Sequence, residues 1–345
     1  MNPTTTRNKG AMARVVLLAS SALSATVAGQ EPFVDDAGRR VVLPPSVERV
    51  FAAGAPAEVL LYTLVPQKLA GRNSVPTAAA LAFVPPEFRN MVAIVNLPDR
   101  DDPRYDAELL ALDVDVYIDY GTVDADYVAA LEAISARTRI PGVILDGRLT
   151  EIPRVYERLG VVLGVPEQGS RLAAESQRLL DKYRSLLAAA PPRVYLACSQ
   201  NGTSPCFRGQ SAGEAVELLG AINVAGGIEQ APRRPLTIAE IRELAPDVIV
   251  APTRDAAAAI RTDAAWREVP AVAAGRVHAP PTLPFNWGSR PPSVNRLAGL
   301  IWLSYVLEGR AFDDAFFADV SAVFEAFYHT TPTPEQLNAL VQEAR

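Results

Sequence analysis

The sequence contains few of the residues that hold bare metal ions or carry redox chemistry. Among its 345 residues are two histidines, His278 and His329, and two cysteines, Cys198 and Cys206. An imidazole-rich zinc or manganese site needs several histidines together with a carboxylate, and neither histidine belongs to a cluster in the sequence. The cysteines of "CSQNGTSPC" either form a disulfide that closes a small loop or remain two separate thiols. We therefore expect no resident metal ion and no cofactor.

The chain also lacks a surplus of positive charge and a long apolar run. Its net charge is -6, whereas a general nucleic-acid binder carries a basic patch. The stretch "VVLLASSALSATVA" follows three basic residues and ends in small residues, which is the pattern of a secretory signal peptide. It is too short to span a membrane, and no cysteine follows it to carry a lipid anchor. We expect residues 1–30 to be a signal peptide and the mature protein to be exported, soluble and not lipid-anchored.

Signatures of nucleotide chemistry and of thiol catalysis are missing as well. The sequence has no P-loop and no glycine fingerprint for dinucleotides, and it suggests no Cys–His catalytic pair. We therefore predict that the protein is not an enzyme. One alternative stays open, namely an exported two-lobed α/β enzyme that acts on an anionic substrate.

The sequence does contain two similar helix-strand segments, one in each half of the chain. "YDAELLALDVDVYIDYG" and "IAEIRELAPDVIVAPT" each indicate a helix followed by a buried strand. Strands that alternate with helices predict parallel sheets with crossover helices. The longest helical pattern, over residues 167–190, lies between the two copies. We predict an N-terminal α/β lobe at residues 31–165, a connecting helix at 166–191 and a C-terminal α/β lobe at 192–345.

These segments, together with "VDDAGRRVVLPPSVERVFAAGAPAEVLLYTLVPQKLAGR" and "GEAVELLGAINVAGG", resemble the periplasmic substrate-binding proteins of ABC importers for iron-siderophore, haem, cobalamin and related chelates. The resemblance implies two Rossmann-like lobes joined by a single long backbone helix. It implies a periplasmic monomer that captures a metal chelate or an oxyanion between the lobes and delivers it to the membrane permease. The bound ligand would then contain iron, cobalt or molybdenum. A ligand sensor without transport is a further alternative.

Ligand contacts are expected from the loops after the strands, where α/β lobes bind their ligands. Arginine suits such loops because its guanidinium pairs with carboxylates and oxyanions through two hydrogen bonds. Trp287 in "LPFNWGSR" either stacks on a flat chelate or seals the last helix as a core residue. The expected ligand residues are Arg72, Tyr120, Arg148, Arg208, Arg254, Trp287 and Arg290.

Two glutamates match the permease-docking residues of the family, one in each half. Glu58 and Glu214 open the first helix of their respective lobes. In the family these carboxylates project from the lobe surface and pair with arginines of the permease. Glu217 lies one helical turn from Glu214 and is its rival for this role.

Overall fold

The computed structural model describes residue 1 and residues 31–92, 102–186, 191–226 and 234–342. Apart from residue 1, the expected signal peptide lies outside the described residues. The same holds for residues 187–190 of the predicted connecting helix. From Pro32 onward the chain forms one compact unit.

The N-terminal lobe is built on a parallel sheet with the strand order β3-β4-β5. Its central strand, "VYIDYG", is rich in β-branched and aromatic residues and is buried on both faces, as parallel strands are. A short antiparallel hairpin, β1 (Phe33–Val34) and β2 (Arg40–Val41), precedes the sheet. The sheet comprises β3 (Val50–Ala52), β4 (Val116–Gly121) and β5 (Gly142–Asp146), and its helices are α1 (Ala55–Leu64), α2 (Ala78–Leu81), α3 (Pro103–Ala111) and α4 (Ala125–Thr138).

The C-terminal lobe repeats this plan on a second, separate parallel sheet with the order β7-β6-β8-β9. Helix α8 begins with a capping box between Thr237 and Glu240, which fixes the start of the repeated helix-strand segment. The elements are β6 (Arg193–Leu196), α7 (Ser211–Leu218), β7 (Ile222–Asn223), α8 (Ile238–Glu243), β8 (Val248–Val250), α9 (Arg254–Thr262), α10 (Pro270–Ala273) and β9 (Val277–His278). Short 3₁₀ helices span Pro66–Lys68, Pro86–Phe88, Leu149–Glu151 and Ala264–Trp266.

A pair of helices, α5 (Ile152–Val162) and α6 (Pro166–Tyr183), lies between the two sheets in the chain. Helix α6 has 18 residues, which corresponds to about 27 Å at 1.5 Å per residue. The two helices touch at Gly160 and Gly169, where a Cβ on Gly160 would lie 2.9 Å from the Gly169 Cα. The connecting element is therefore a close-packed helical hairpin, and α6 is shorter than the predicted helix.

The last helices are α11 (Arg296–Glu308), α12 (Asp314–Tyr328) and α13 (Pro334–Gln342). Helix α12 packs back onto α1, since Tyr62 donates a hydrogen bond to the Tyr328 carbonyl at 3.4 Å. Phe324 of α12 also meets Phe83 of the N-terminal lobe edge to face. The C-terminal segment thus covers part of the N-terminal lobe, which a division of the chain at residue 192 does not convey.

The prediction of an α/β protein with two lobes is confirmed by the two separate parallel sheets. Within the described part of the chain, no helix has the length and apolar character to cross a bilayer.

Candidate functional site

An open cleft of about 800 Å³ lies between the two lobes. It forms where β4, β5 and β6 end, and ligands of parallel α/β lobes bind at such carboxyl ends. The N-terminal lobe contributes residues 121–123 and 146–148, which begin with the last residues of β4 and β5. The C-terminal lobe contributes Cys198, residues 209–212, Glu214 and residues 289, 290 and 292.

Two of the expected arginines, Arg148 and Arg290, line this cleft from opposite lobes. The Arg148 side chain is 64% exposed and pairs with Asp146, its neighbour in the same loop. Arg290 is also exposed, and its Nη2 donates to the Cys198 carbonyl at 2.6 Å. No carboxylate of the described residues lies within 4.0 Å of Arg290 in an ion pair. Arg290 therefore presents an uncompensated positive charge to the cleft.

A partly buried ion pair, of which Glu214 lines the cleft, joins the lobes. Arg296, at the start of α11, is 2% exposed and donates to Glu214 of α7 at 3.0 Å. Its second amino group donates to the Gly147 carbonyl of the N-terminal lobe. Glu214 in turn accepts the backbone N–H of Leu149 from that lobe. Because each partner also bonds to the N-terminal lobe, this pair fixes the lobes to each other below the cleft.

Tyr120 lies in the protein interior, and the expectation that it contacts a ligand is not met in this structure. It ends β4 as predicted, but its ring is buried in the main hydrophobic core. Burial raises the pKa of its hydroxyl to about 12, and the charges of Arg296 and Glu214 also act on it. A side chain at the end of a parallel strand points to one face or the other, and here that face is the core.

Arg72 and Glu58 are buried together in the N-terminal lobe. The Arg72 guanidinium lies 5.5 Å from the centre of the Tyr62 ring and donates to the Phe88 carbonyl. Glu58 is 5% exposed, and its Oε2 accepts the Asn73 N–H at 2.6 Å. Burial raises the pKa of the Glu58 carboxyl. The structure thus corrects two expectations: Arg72 does not reach the cleft, and Glu58 does not project from the surface.

Helix α7 contains the second docking candidate and its rival. The Glu214 side chain is 22% exposed and is held by Arg296, so the expectation that it projects from the surface is wrong. Glu217 is 40% exposed, with the highly exposed Arg208 at 4.0 Å. Arg208 is not among the residues that line the cleft, and neither is Arg254, an exposed residue that begins α9. Of the five arginines expected to bind a ligand, Arg148 and Arg290 are the two that line the cleft.

Trp287 is fully buried and packs as a core residue, and it is not among the residues that line the cleft. Its indole N–H donates to the Leu283 carbonyl at 2.9 Å, and its ring meets Phe324 of α12 edge to face. Gly299 of α11 lies directly against the Trp287 backbone, where an added Cβ would lie 1.8 Å from the Trp287 carbonyl oxygen. The tryptophan therefore anchors the loop that carries Arg290.

The two cysteines form a disulfide in the structure. Cys198 and Cys206 lie with their Cα atoms 5.3 Å apart and close the loop that follows β6. The N–H of each cysteine also bonds across this loop, to Ser204 and to Leu196 respectively. Since the Cys198 carbonyl accepts the hydrogen bond from Arg290, the bridged loop is one of the supports of that arginine.

Residues 209–213, GQSAG, have the spacing of a hydrolase nucleophile elbow. Such an elbow places its serine on a sharp turn directly after a strand. Ser211 is instead the first residue of α7, well separated from β6, and its φ is not positive. Neither His278 nor His329 lines the cleft, so no histidine is placed there to act as a general base for Ser211. In the described residues no three His, Cys, Asp or Glu side chains form a metal-binding group.

Arg296 is the site residue that the sequence interpretation missed. It stands at the head of "RLAGLIWLSYVL", a helix that is otherwise apolar and buried. An arginine in such a segment is almost never left without a partner. That signal predicts a buried ion pair, although the sequence does not reveal its partner.

Comparison with known proteins finds matches among solved structures, while no family model and no curated protein matches the chain. An ABC transporter solute-binding protein from Sulfurospirillum deleyianum has a TM-score of 0.79 at 23% identity, covering 90% of this chain and 99% of its own. A periplasmic solute-binding protein from Veillonella parvula has a TM-score of 0.70 at 19% identity, with 90% and 96% covered.

A third similar structure is the molybdate periplasmic binding protein of a Haemophilus influenzae ABC transporter, solved with molybdate bound. Its TM-score is 0.68 at 20% identity, and the match covers 88% of this chain and 100% of that one. At these identities the likeness concerns the fold. The chain therefore has the two-lobed α/β fold of the periplasmic solute-binding proteins of ABC transporters.

Proposed function

We propose that this chain is the periplasmic substrate-binding protein of an ABC importer. It captures an anionic metal chelate or an oxyanion in the cleft and delivers it to the transmembrane subunits of the permease. The observation that carries this proposal is Arg290, an exposed guanidinium in the cleft whose charge no described carboxylate neutralises. An anion in the cleft would complete that pairing through charge-assisted hydrogen bonds.

The size of the cleft supports a small-molecule ligand. Its volume of about 800 Å³ lies in the range of about 300–1,000 Å³ that is usual for small-molecule sites. Ferric siderophores, haem and cobalamin are candidates among the chelates, and molybdate is the candidate among the oxyanions. Arg148 faces the same cleft from the other lobe, so one anionic ligand would contact both lobes at once.

Ligand capture would require little movement of the lobes. The α5–α6 hairpin is packed through two glycines with backbone in contact, and the Glu214–Arg296 pair ties the lobes below the cleft. Such connections favour a small hinge rather than a wide opening. A receptor of this kind presents nearly the same docking face with and without its ligand.

Docking would use an accessible carboxylate, and Glu217 meets that condition in the C-terminal lobe. We expect Glu217→Lys to abolish import, because a lysine would repel the permease arginine that a glutamate binds. The affinity for the ligand should not change. Glu243→Lys, on the exposed face of α8 in the same lobe, is the matched control and should import normally. Normal import by Glu217→Lys would exclude this contact.

The periplasmic location rests on the leader pattern of residues 1–30, and the protein is expected to act as a monomer without a lipid anchor. The most direct experiment is native mass spectrometry, with metal analysis, of the protein purified from the periplasm of its own cells. We expect a non-covalent ligand of low mass that contains iron, cobalt or molybdenum. An Arg148→Gln/Arg290→Gln variant should lose that ligand. A wild-type protein that arrives without any ligand and binds none of these candidates would contradict the proposal.

Two other functions make different predictions. A sensor would retain its ligand in the same experiment, but deleting its gene would leave uptake of that ligand intact. An enzyme that used Ser211 would hydrolyse an anionic ester, and Ser211→Ala would abolish that turnover.

A further inference from the structure

A small apolar pocket opens beside the cleft, inside the C-terminal lobe. Its volume is about 80 Å³. The walls come from the ends of β6 and β8, from Ala212 and Ala215 of α7, and from Trp302 and Leu303 of α11. We call this space the side pocket. Apart from Arg290, Arg296 and the amide of Asn286, it is lined by apolar and small side chains.

The side pocket and the cleft are adjacent. Ser211, Ala212, Ser289 and Arg290 line both spaces, as does Cys198 of the disulfide. A ligand whose anionic group reaches Arg290 from the cleft therefore stands at the mouth of the side pocket.

We propose that the ligand is an anionic chelate that carries a short apolar arm, and that this arm enters the side pocket while the charged part stays in the cleft at Arg290. This inference rests on the proposed function and narrows it to one ligand class. A bare tetrahedral oxyanion has no group to place in the side pocket, and it would leave apolar walls in contact with water.

The volume sets the length of the arm. At about 30 Å³ per water-sized group, the side pocket accommodates roughly two to three groups of that size. That corresponds to an ethyl or propyl chain. Each buried methylene is worth about 0.8 kcal/mol, so affinity should rise about fourfold per carbon until the side pocket is full.

The test is a series of ferric complexes of catechol, 4-methylcatechol, 4-ethylcatechol, 4-propylcatechol and 4-hexylcatechol, prepared with excess catechol. Equilibrium dialysis with radioactive iron gives the Kd of each complex for the whole mature protein. We expect the Kd to fall about fourfold per carbon up to propyl and then to level off or rise. Arg290→Gln should raise the Kd of every complex in the series about tenfold or more, because it removes the positive charge that binds them all.

Ala215→Leu tests the contribution of the apolar arm to affinity separately from that of the charged group. The added carbons fill the side pocket, so the dependence of Kd on chain length should disappear in this variant. Ala258→Leu is the matched control, since Ala258 is an exposed residue of α9 that lines neither space. It should retain the wild-type dependence.

The possible results distinguish a failure of this inference from a failure of the proposed function. Binding that is sensitive to Arg290 but independent of chain length would overturn the arm in the side pocket and leave the proposed function standing. A chain-length dependence that persists in Ala215→Leu would overturn it in the same way. If no ferric complex of the series binds while the protein binds haem, cobalamin or molybdate, this inference is overturned and the proposed function stands. A protein that binds none of these candidates contradicts both.

Discussion

Glu58 and Glu214 occupy matching places in the two halves of a repeated plan, yet they hold different parts of the molecule together. Each lies in the first turn of the first helix of its lobe. Glu58 accepts the Asn73 N–H within its own lobe. Glu214 accepts the Leu149 N–H from the other lobe and pairs with Arg296. The same residue type at the same place thus fixes a loop in one lobe and the contact between lobes in the other.

The comparison shows that the glutamate at each helix start accepts a backbone N–H, but that the N–H comes from a different segment in each lobe. A carboxylate there is well placed to accept a backbone N–H from whichever segment passes nearby. In the N-terminal lobe that segment is the strand-like stretch after α1. For Glu214 it is the stretch of the N-terminal lobe that contains Leu149. The match to the family motif places both glutamates on the surface, because the motif gives no information about the segments that cover them.

The largest effect should come from breaking the connection between the lobes. Arg296→Met leaves Glu214 half-buried without its partner, and loss of one member of a buried pair costs about 3 kcal/mol or more in the free energy of unfolding. Urea denaturation of the variant measures this loss. Arg242→Met, which removes the exposed pair with Glu268, is the matched control and should cost less than about 1 kcal/mol. Equal losses in the two variants would contradict a special role for Arg296.

The second comparison concerns the loops that lead into these helices. Residues 53–54 join β3 to α1 directly, whereas residues 197–210 join β6 to α7 and contain the disulfide. Replacing both cysteines by serine releases a loop of sequence separation 8, which should cost about 2.5 kcal/mol by loop-closure entropy. The loss should show in urea denaturation, and the same variant should bind its ligand more weakly because Cys198 supports Arg290. Unchanged stability and affinity would show that the loop needs no bridge.

A somewhat smaller loss is expected on the N-terminal side. Glu58→Ala leaves the partly buried Asn73 N–H without its acceptor, which costs about 1–3 kcal/mol in the free energy of unfolding. The contact between the lobes should be unaffected, so ligand affinity should stay at the wild-type value. A loss of ligand affinity as large as that in Arg296→Met would abolish the distinction between the two glutamates.

The smallest effect is a pH dependence that Glu58 should contribute and Glu58→Gln should lack. Burial raises the pKa of Glu58 above its usual value of 4.5. Its stabilising contribution is therefore complete below about pH 4.5 and is lost as the pH rises through the folded-state pKa. As the pH rises through this pKa, the free energy of unfolding of Glu58→Gln should increase relative to that of the wild type. Urea denaturation at a series of pH values measures the difference. A constant difference between the two proteins would contradict the raised pKa.

The fold was largely readable from the sequence, and the site only in part. The repeated segments before residues 121 and 253 identified β4, β8 and the helices that precede them, because a helix period followed by a buried apolar run is a local signal. The length of α6 was overestimated, since residues beyond Tyr183 keep helical composition while the helix ends there. The return of α12 onto α1 was not predicted because it depends on contacts distant in sequence.

For the site, the loops after the strands were the right places to look, and they yielded Arg148 and Arg290. Arg72, Tyr120 and Trp287 also lie near strand ends or in loops, but they face the interior. The direction of a single side chain depends on packing that no local pattern records. Arg296 shows the reverse case, because its charge within an apolar helix indicated a buried partner without identifying it.

The central claim is that the cleft between the lobes binds an anion through Arg290. Arg254 offers a matched comparison, because it is another exposed arginine at the start of a C-terminal lobe helix and does not line the cleft. Isothermal titration with ferric citrate, ferric catecholate and molybdate would measure both variants. We predict that Arg290→Gln weakens binding of the preferred probe at least tenfold while Arg254→Gln leaves it unchanged. Equal affinities in the two variants, or no binding of any probe by the wild type, would contradict the account.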